Sequence, residues 1–347
     1  MCDYYSIRWV DGVVRMLDQR LLPDKVIYRD FIKCSEIIFS IHEMIIRGAP
    51  AIGAAAVFGM ALVAYHSKAS QTNELIKELN SAAGELKKSR PTAVNLFGAI
   101  QRIQNVVDRA DEMNLDQLRQ MVVSEAMKFA EEDIQMNLRI AQNGQQFIPE
   151  RANLITHCNT GALATVGIGT ALGVIRVAHE SGKKIHVYVD ETRPRLQGAR
   201  LTSWELKQLG IPHTVIVDGA SGYFMKKTKI DACLVGCDRI ASNGDVANKI
   251  GTYNLALAAS AHGVPFYSVG PSTTIDLSTG CGEDIPIEER TGEEITHVGD
   301  TQMTPEGVQV ANPAFDVTPA KYITAIITDR GVAYPPYEMS LGKLMNG

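Results

Sequence analysis

The sequence predicts an α/β protein in which an open parallel sheet forms the C-terminal part and a smaller, mostly helical domain precedes it. In the first part of the chain, apolar residues recur at helical spacing, as at Ile37, Ile41 and Ile45. Later, short apolar runs alternate with helical segments, which is typical of βαβ units and a parallel sheet. With 347 residues the chain is long enough for two cores. We therefore predict a mostly helical N-terminal domain over residues 1–146 and a Rossmann-like α/β domain over residues 147–347.

The N-terminal domain is expected to open with a β hairpin. Two apolar runs, Ile7–Val10 and Val13–Leu17, flank Asp11 and Gly12. An Asp-Gly pair tolerates the positive φ angles of a tight turn, so the two runs can pair as strands. A later apolar stretch over residues 49–64 is dense in Gly and Ala, and we predict a buried helix there rather than a membrane span.

In the C-terminal domain, continuous apolar runs suit strands that helices cover on both faces. The predicted strands are residues 153–157, 185–189, 214–217, 232–235 and 265–269, with helices near residues 163–179, 202–209 and 249–261. Right-handed crossovers place the carboxyl ends of all these strands on one rim, where ligands bind in such sheets. The loops at that rim are rich in polar side chains, so we expect a small-molecule site there.

Composition and charge exclude several classes of function. The net charge is -5 and no long basic stripe occurs, so no nucleic-acid partner is expected. The first residues lack a basic segment followed by an apolar run, so no leader and no membrane partner are expected. Six scattered cysteines indicate reduced thiols and a cytoplasmic location. Cys233 and Cys237 have no second Cys or His pair at zinc spacing, so packing is favoured over a metal site.

Two rim residues could carry out chemistry. Cys158 directly follows an apolar strand and precedes a Gly/Ala-rich segment, where the amides of a helix N-terminus would lower the pKa of its thiol. Asp238 follows another strand, at the mouth of the expected cleft. The alternatives are a buried structural cysteine, and an aspartate that caps a helix or pairs with Arg239. His157 is expected to turn away from the site.

Several segments look suited to an anion. Lys249 and the preceding Asn248 are expected to begin a helix, whose exposed amides and cation would attract a phosphate, although a single Lys there can also be merely solvated. Arg47 and Arg90 each precede a predicted helix start in the N-terminal domain. The glycines from Gly161 onward lack the spacing and the acidic partner of a dinucleotide fingerprint, so no NAD is expected.

Four longer segments, in this order along the chain, resemble the methylthioribose-1-phosphate isomerase family. They are Arg-Gly-Ala-Pro-Ala-Ile-Gly from residue 47, Ser-Arg-Pro-Thr-Ala-Val-Asn-Leu from residue 89, the run over residues 191–202, and Gly-Asp-Val-Ala-Asn-Lys-Ile-Gly-Thr from residue 244. Residues 284–290 and 312–319 also match, so the resemblance runs nearly from end to end. The wider family includes regulatory subunits of the eukaryotic initiation-factor exchange complex and ribose-1,5-bisphosphate isomerases, which share the fold and not necessarily the chemistry.

The resemblance implies an aldose–ketose isomerase of methionine salvage that acts on 5-methylthioribose 1-phosphate. It makes Cys158 and Asp238 the catalytic pair, with the aspartate as general acid for ring opening and the cysteine moving hydrogen between C2 and C1. It assigns the substrate to a set of binding residues: Arg47, Gly48, Ala49, Arg90, Gln197, Asn248 and Lys249. It implies no metal and no cofactor, and a homodimer. Cys237 departs from the family pattern, in which an alanine is expected before the catalytic Asp.

Two alternatives remain open from the sequence. The same chemistry could act on 5-deoxyribose 1-phosphate or ribose 1,5-bisphosphate, since the group on C5 is not readable from these motifs. A non-enzymatic regulatory subunit is the other alternative, and the presence of both Cys158 and Asp238 argues against it.

Overall fold

The computed structural model describes residues 4–90, 94–110 and 113–346. By the proximity of its backbone segments the chain divides into two compact units. The first unit extends to Leu138 and also holds Thr160–Gly169, and the second holds Arg139–Asn159 and everything from Thr170 onward. This division differs from the predicted boundary at residue 147, because it falls inside a long helix whose apolar pattern continues without a break.

The first unit opens with a three-stranded antiparallel sheet in the order β1-β2-β3. Its strands are β1 (Ile7–Val10), β2 (Val13–Leu17) and β3 (Tyr28–Phe31). The predicted hairpin is confirmed: Asp11 and Gly12 have φ angles of 45° and 85°. Strand β3 was not foreseen, because its charged and mostly exposed residues give no apolar alternation.

Five helices follow the sheet: α1 (Cys34–His42), α2 (Ala49–His66), α3 (Thr72–Ser89), α4 (Val94–Val107) and α5 (Leu115–Gly144). Helix α2 is long and apolar enough to span a membrane by length and composition alone, yet 72% of its apolar window is buried inside the protein. The predicted buried helix is therefore confirmed. Its small residues allow α1, α3 and α4 to pack closely around it.

Within the first unit, the segment Thr160–Gly169 is anchored to the strands and helices around it. The hydroxyl of Ser6 donates to the carbonyl of Thr165, and the side-chain amide of Gln19 donates to the carbonyl of Leu163, with an N–O distance of 2.7 Å. The carboxylate of Asp133 accepts the N–H of Val166 at 2.7 Å. The segment is irregular apart from a short turn at Ala162–Ala164, so the helix predicted from residue 163 is wrong at its start.

The second unit alternates strands and helices. In chain order its strands are β4 (Arg151–Thr156), β5 (Lys184–Asp190), β6 (His213–Ile216), β7 (Ala232–Val235), β8 (Arg239–Ala241), β9 (Val246–Lys249), β10 (Phe266–Val269), β11 (Ile275–Asp276), β12 (His297–Val298), β13 (Thr301–Gln302), β14 (Phe315–Thr318), β15 (Ala325–Thr328) and β16 (Gly331–Ala333). Its helices are α6 (Ala171–Glu180), α7 (Ser203–Gln208), α8 (Ser221–Lys227), α9 (Thr252–Ala261), α10 (Glu293–Thr296) and α11 (Tyr337–Asn346).

Seven of these strands form one sheet in the order β16-β15-β10-β7-β4-β5-β6. All neighbours are parallel except β15 and β16. The predicted open parallel sheet is therefore confirmed. From β4 the chain first builds outward through β5 and β6, and then returns to β7 on the other side. The crevice between the carboxyl ends of β4 and β7 is thus the topological switch point, where such sheets bind ligands.

Both faces of this sheet are covered. Leu154 of β4 packs in one apolar cluster with Ile175 and Val187, and its neighbour Ile155 packs in another with Leu255 and Phe266. Successive side chains of a strand point to opposite faces, so a strand buried on both sides reads as a continuous apolar run.

A second, four-stranded sheet in the order β11-β8-β9-β14 was not predicted. It corrects one site element: Asn248 and Lys249 end strand β9 and do not begin a helix, since α9 begins at Thr252. Gly251, with a φ of 100°, makes the turn between them. The helix predicted near residues 202–209 is confirmed as α7, and a π-helical turn at Gly198–Thr202 precedes it.

Candidate active site

Cys158 lies just beyond the end of β4, at the switch point of the sheet. Its backbone has a φ of 62°, which is strained for a residue with a side chain. Two threonines hold it there: its N–H donates to Oγ1 of Thr192 at 2.8 Å, and its carbonyl accepts from Oγ1 of Thr202 at 2.6 Å. The α-helix expected directly after Cys158 does not start there, because only a 3₁₀ turn at Ala162–Ala164 comes before α6, which begins at Ala171.

Asp238 lies beyond the end of β7, the strand that pairs directly with β4. Its N–H donates to the carbonyl of Ala247 at 2.9 Å, which extends the pairing of β8 with β9 by one residue. Asp238 precedes a strand, so the alternative role as a helix cap is wrong. The guanidinium of Arg239 lies 3.9 Å from the carboxylate of Asp276.

Lys249 is a buried cation whose charge interacts with those of Cys158 and Asp238. Its side chain is 5% exposed, and its ammonium group donates to the carbonyl of Ala314 at 2.6 Å. Burial, followed by the charge of Arg290, lowers the pKa of Lys249 to about 8, while the charges of Cys158 and Asp238 act in the opposite direction. Neighbouring Asn248 is also buried, and its amide donates to Oγ1 of Thr252 at 2.9 Å.

Gln197 follows the end of β5 in a loop with unusual backbone geometry. Thr192 and Leu196 have positive φ angles, and a Cβ on Gly198 would lie 1.7 Å from the carbonyl oxygen of Asp190. The side chain of Gln197 is 8% exposed, and its Oε1 atom has no hydrogen-bond partner. A buried acceptor without a partner is costly, so this oxygen suits a ligand hydroxyl that donates to it.

The remaining predicted binding residues belong to the first unit. Gly48, with a φ of 97°, precedes α2, and Ala49 is the first residue of that helix. A Cβ on Gly48 would lie 2.6 Å from the Cα of Ala164. Arg47 and the amides at this helix start are groups of the kind that bind anions, and their participation stays a prediction. Arg90 is the first residue after α3, and Pro91 and Thr92 of its motif lie outside the described residues.

The structure also reveals the role of His157, a buried residue that was predicted to turn away from the site. Nδ1 of His157 lies 3.0 Å from a carboxylate oxygen of Asp190, and Nε2 lies 2.8 Å from the carbonyl oxygen of Ile250. The hydroxyl of Ser221 donates to the other carboxylate oxygen of Asp190 at 2.7 Å. The available signal was that His157 and Asp190 stand at the carboxyl ends of neighbouring predicted strands.

His157, Asp190 and Asp218 bring potential metal ligands within 4.8 Å of one another. The ligand atoms of Asp218 already accept hydrogen bonds from the loop after β5: its two carboxylate oxygens accept the N–H groups of Thr192 and Arg193, each at 2.7 Å. We therefore assign the cluster a structural role.

Cys237 and Cys233 belong to the apolar core of the second unit, as the packing alternative predicts. Burial raises the pKa of Cys237 to about 12 and that of Cys233 well above its usual value. The Cys237 sulfur lies 3.3 Å from Oγ1 of Thr274, so the residue that departs from the family pattern is a buried, protonated thiol.

The fold and these residues define a class: a parallel α/β protein whose strand ends at the switch point carry a thiol and a carboxylate, with a buried cation beside them. The chain belongs to the initiation factor 2 subunit family, whose model matches residues 45–335.

Relatives that match over the full length carry more specific names. Methylthioribose-1-phosphate isomerase 2 of Pseudothermotoga lettingae is 55% identical over 344 residues, which cover 99% of each chain. Among solved structures, 5-methylthioribose 1-phosphate isomerase of Pyrococcus horikoshii OT3 superposes with a TM-score of 0.94 at 48% identity, covering 99% of this chain and 96% of that one. The protein named translation initiation factor eIF-2B, subunit delta, from A. fulgidus has a TM-score of 0.90 at 41% identity, covering 99% of this chain and 100% of that one.

Proposed function

We propose that this protein is the aldose–ketose isomerase that converts 5-methylthioribose 1-phosphate to 5-methylthioribulose 1-phosphate in methionine salvage. The observation that carries the proposal is the position of Cys158 and Asp238 after two directly paired strands, β4 and β7, at the switch point of the sheet. The names of the full-length relatives support the choice of substrate.

The substrate is locked as a ring because its C1 oxygen carries the phosphate. Asp238 acts as the general acid that protonates the ring oxygen while the bond from C1 to that oxygen breaks. The Cys158 thiolate removes the proton from C2, which leaves a C1–C2 double bond, and returns it to C1. The C2 hydroxyl then gives its proton to the Asp238 carboxylate as it becomes the ketone. Both residues end in their starting forms, so the sequence of steps is a net isomerisation.

Binding in the second unit depends on Lys249, Asn248 and Gln197. The ammonium group of Lys249 supplies the charge for a phosphate, and the unpartnered Oε1 of Gln197 accepts a hydrogen bond from a sugar hydroxyl. This chemistry needs only acid, base and fixed cations, and we propose no metal and no cofactor. We also propose a part in binding for four residues of the first unit: Arg47, Gly48, Ala49 and Arg90. The backbone amides at the start of α2, next to Arg47, support this proposal.

The proposal is tested by incubating the purified protein with 5-methylthioribose 1-phosphate and following the ketose. Cys158→Ser and Asp238→Asn should each lower kcat by about 10²–10⁴-fold, the usual contribution of a positioned acid or base. Cys281→Ser is the matched control and should keep the wild-type rate. Full activity in either the Cys158 or the Asp238 variant would contradict the assigned roles. Deuterium from the solvent should appear at C1, since a thiol exchanges its proton with water, and a direct hydride shift would leave C1 unlabelled.

The name of the A. fulgidus relative favours a second candidate, a regulatory subunit without catalysis. Such a role requires neither a thiol nor a carboxylate at the switch point, so the measured turnover separates the two. If a sugar phosphate turns over, kcat/KM on 5-methylthioribose 1-phosphate, 5-deoxyribose 1-phosphate and ribose 1,5-bisphosphate identifies the group on C5. The methylthio sugar should be preferred.

We further propose a homodimer in the cytoplasm. The cytoplasmic location is supported by Cys34, Cys158, Cys233, Cys237 and Cys281, none of which forms a disulfide in the described part of the chain. Sedimentation at several concentrations tests the dimer, and a monomer throughout would contradict it.

A further inference from the structure

His157 is a fully buried imidazole whose two nitrogens both face oxygen atoms. Ile250 offers a carbonyl oxygen to Nε2, and a carbonyl can only accept, so Nε2 carries a proton. Nδ1 faces the carboxylate of Asp190 at 3.0 Å. Burial raises the pKa of that carboxyl, while the charge of His157 and the hydrogen bonds from His157 and Ser221 favour its ionised form, in which it accepts from Nδ1. A ring that donates at both nitrogens is an imidazolium cation.

The turn that receives Nε2 is shaped for the ring. Gly251 has a φ of 100°, and a Cβ on it would lie 2.7 Å from Cε1 of His157, so any other residue would displace the imidazole. The same turn is held from its other side, since the N–H of Ile250 donates to the carbonyl of Ala314 at 3.1 Å and the N–H of Gly251 donates to the carboxylate of Asp316 at 2.8 Å. This turn directly follows Lys249.

Asp190 connects the His157 ring to Cys158 through Thr192. Its carbonyl oxygen accepts from Oγ1 of Thr192 at 3.0 Å, and the same Oγ1 accepts the N–H of Cys158 at 2.8 Å. His157 and Cys158 are thus both tied to the end of β5, one by a side chain and one by its backbone. Through His157 the connection continues to the turn after Lys249.

The charged groups around the ring favour its cationic form. Asp190 ends β5, Asp218 follows β6 and Asp316 lies on β14, and the charges of all three interact with His157. Burial alone would lower the pKa of His157, but the hydrogen bond and charge of Asp190, with the further charge of Asp218, outweigh it and raise the pKa. Cys233 interacts with the charge of Asp190, and burial raises the pKa of this thiol, which keeps it protonated.

We infer that His157 is a positioning residue for the reaction: as an imidazolium paired with Asp190, it fixes the end of β4, where Cys158 follows, relative to the turn that directly follows Asn248 and Lys249. Removing it lets the base and the phosphate-binding cation shift with respect to each other. The kinetic part of this inference rests on the proposed function, whereas the charge state of the ring does not.

The charge state is measured first, by NMR of the wild-type protein labelled with ¹⁵N and ¹³C, with the His157 ring signals assigned by through-bond correlation to its own backbone. Both ring nitrogens should carry protons throughout the neutral pH range. A neutral ring with an unprotonated nitrogen would overturn the inference. This result stands even if His157→Gln fails to fold.

The positioning role is measured by kinetics. A glutamine at this position can still donate to Ile250 but carries no charge, and we expect His157→Gln to lower kcat/KM about 100-fold, the size of effect a misplacement of about 1 Å produces. His186→Gln, on β5, is the matched control and should stay within about twofold, as expected for a change that leaves the reacting groups in place. A folded His157→Gln enzyme with wild-type kcat/KM would contradict the role. Wild-type protein inactive on every sugar phosphate would refute the proposed function and leave the NMR result untouched.

Discussion

The ammonium group of Lys249 lies 4.9 Å from the centre of the Phe315 ring, and the guanidinium carbon of Arg290 lies 6.0 Å from the same centre. Two cations thus share one aromatic ring inside the second unit. Attraction to the ring offsets part of their mutual repulsion, because the face of an aromatic ring carries partial negative charge. Burial, followed by the charge of Arg290, lowers the pKa of Lys249 to about 8.

This pKa predicts a pH dependence of phosphate binding. Below about pH 8 the free protein carries a charged Lys249, and above it the ammonium group loses its proton, so the affinity for a sugar phosphate should fall as the pH rises through that value. The phosphate does not contribute, since its second proton is lost near pH 6. Calorimetry with a competing sugar phosphate on both sides of the pKa checks the expectation.

Two substitutions identify Lys249 as the source of that dependence. Lys249→Met should weaken binding about 10- to 100-fold, as expected for one charge-assisted hydrogen bond. Lys249→Arg keeps the charge at every pH of the experiment and should abolish the decline above pH 8. A decline that persists in the arginine variant would assign the titration to another group.

A second prediction concerns thiol reactivity. Burial raises the pKa of Cys34 and Cys237 to about 12 and that of Cys233 well above its usual value, so these three thiols should react slowly with iodoacetamide. Cys158 is only half-buried and should react faster. Peptide mapping by mass spectrometry follows each site, and bound sugar phosphate should protect Cys158 while leaving the rate at Cys281 unchanged. Equal labelling of Cys158 with and without ligand would place it outside the site.

A third prediction tests the start of α2. Gly48→Ala forces a side chain onto a residue with a φ of 97° and a contact with Ala164, and should lower the free energy of unfolding by about 1–3 kcal/mol. Gly84→Ala in α3 is the matched control: no atom lies within 4 Å of the new Cβ, and the change should stabilise the protein by about 0.5–1 kcal/mol. Urea denaturation measures both. Equal effects of the two substitutions would mean that the backbone at Gly48 is not constrained.

Local patterns were sufficient for much of the fold. The hairpin at Asp11 and Gly12 agrees with its prediction because an Asp-Gly turn acts through its own φ angles. Strand β7 was predicted at Ala232–Val235, where it lies, because burial on both faces leaves a continuous apolar run. Strand β9 was missed, since no local pattern distinguishes Asn248 and Lys249 at a strand end from the same residues at a helix start.

The sequence alone determined that this is a parallel α/β protein with Cys158 and Asp238 after two of its strands, because alternating apolar runs and turn residues act over a few positions. The tertiary structure decided how those strand ends are held. Cys158 takes its strained conformation from Thr192 and Thr202, which lie 34 and 44 positions away in the chain. His157 is bound to Ile250 at a separation of 93 positions. Such hydrogen bonds join residues that the strand order brings together from distant parts of the chain, so no pattern of neighbouring residues encodes them.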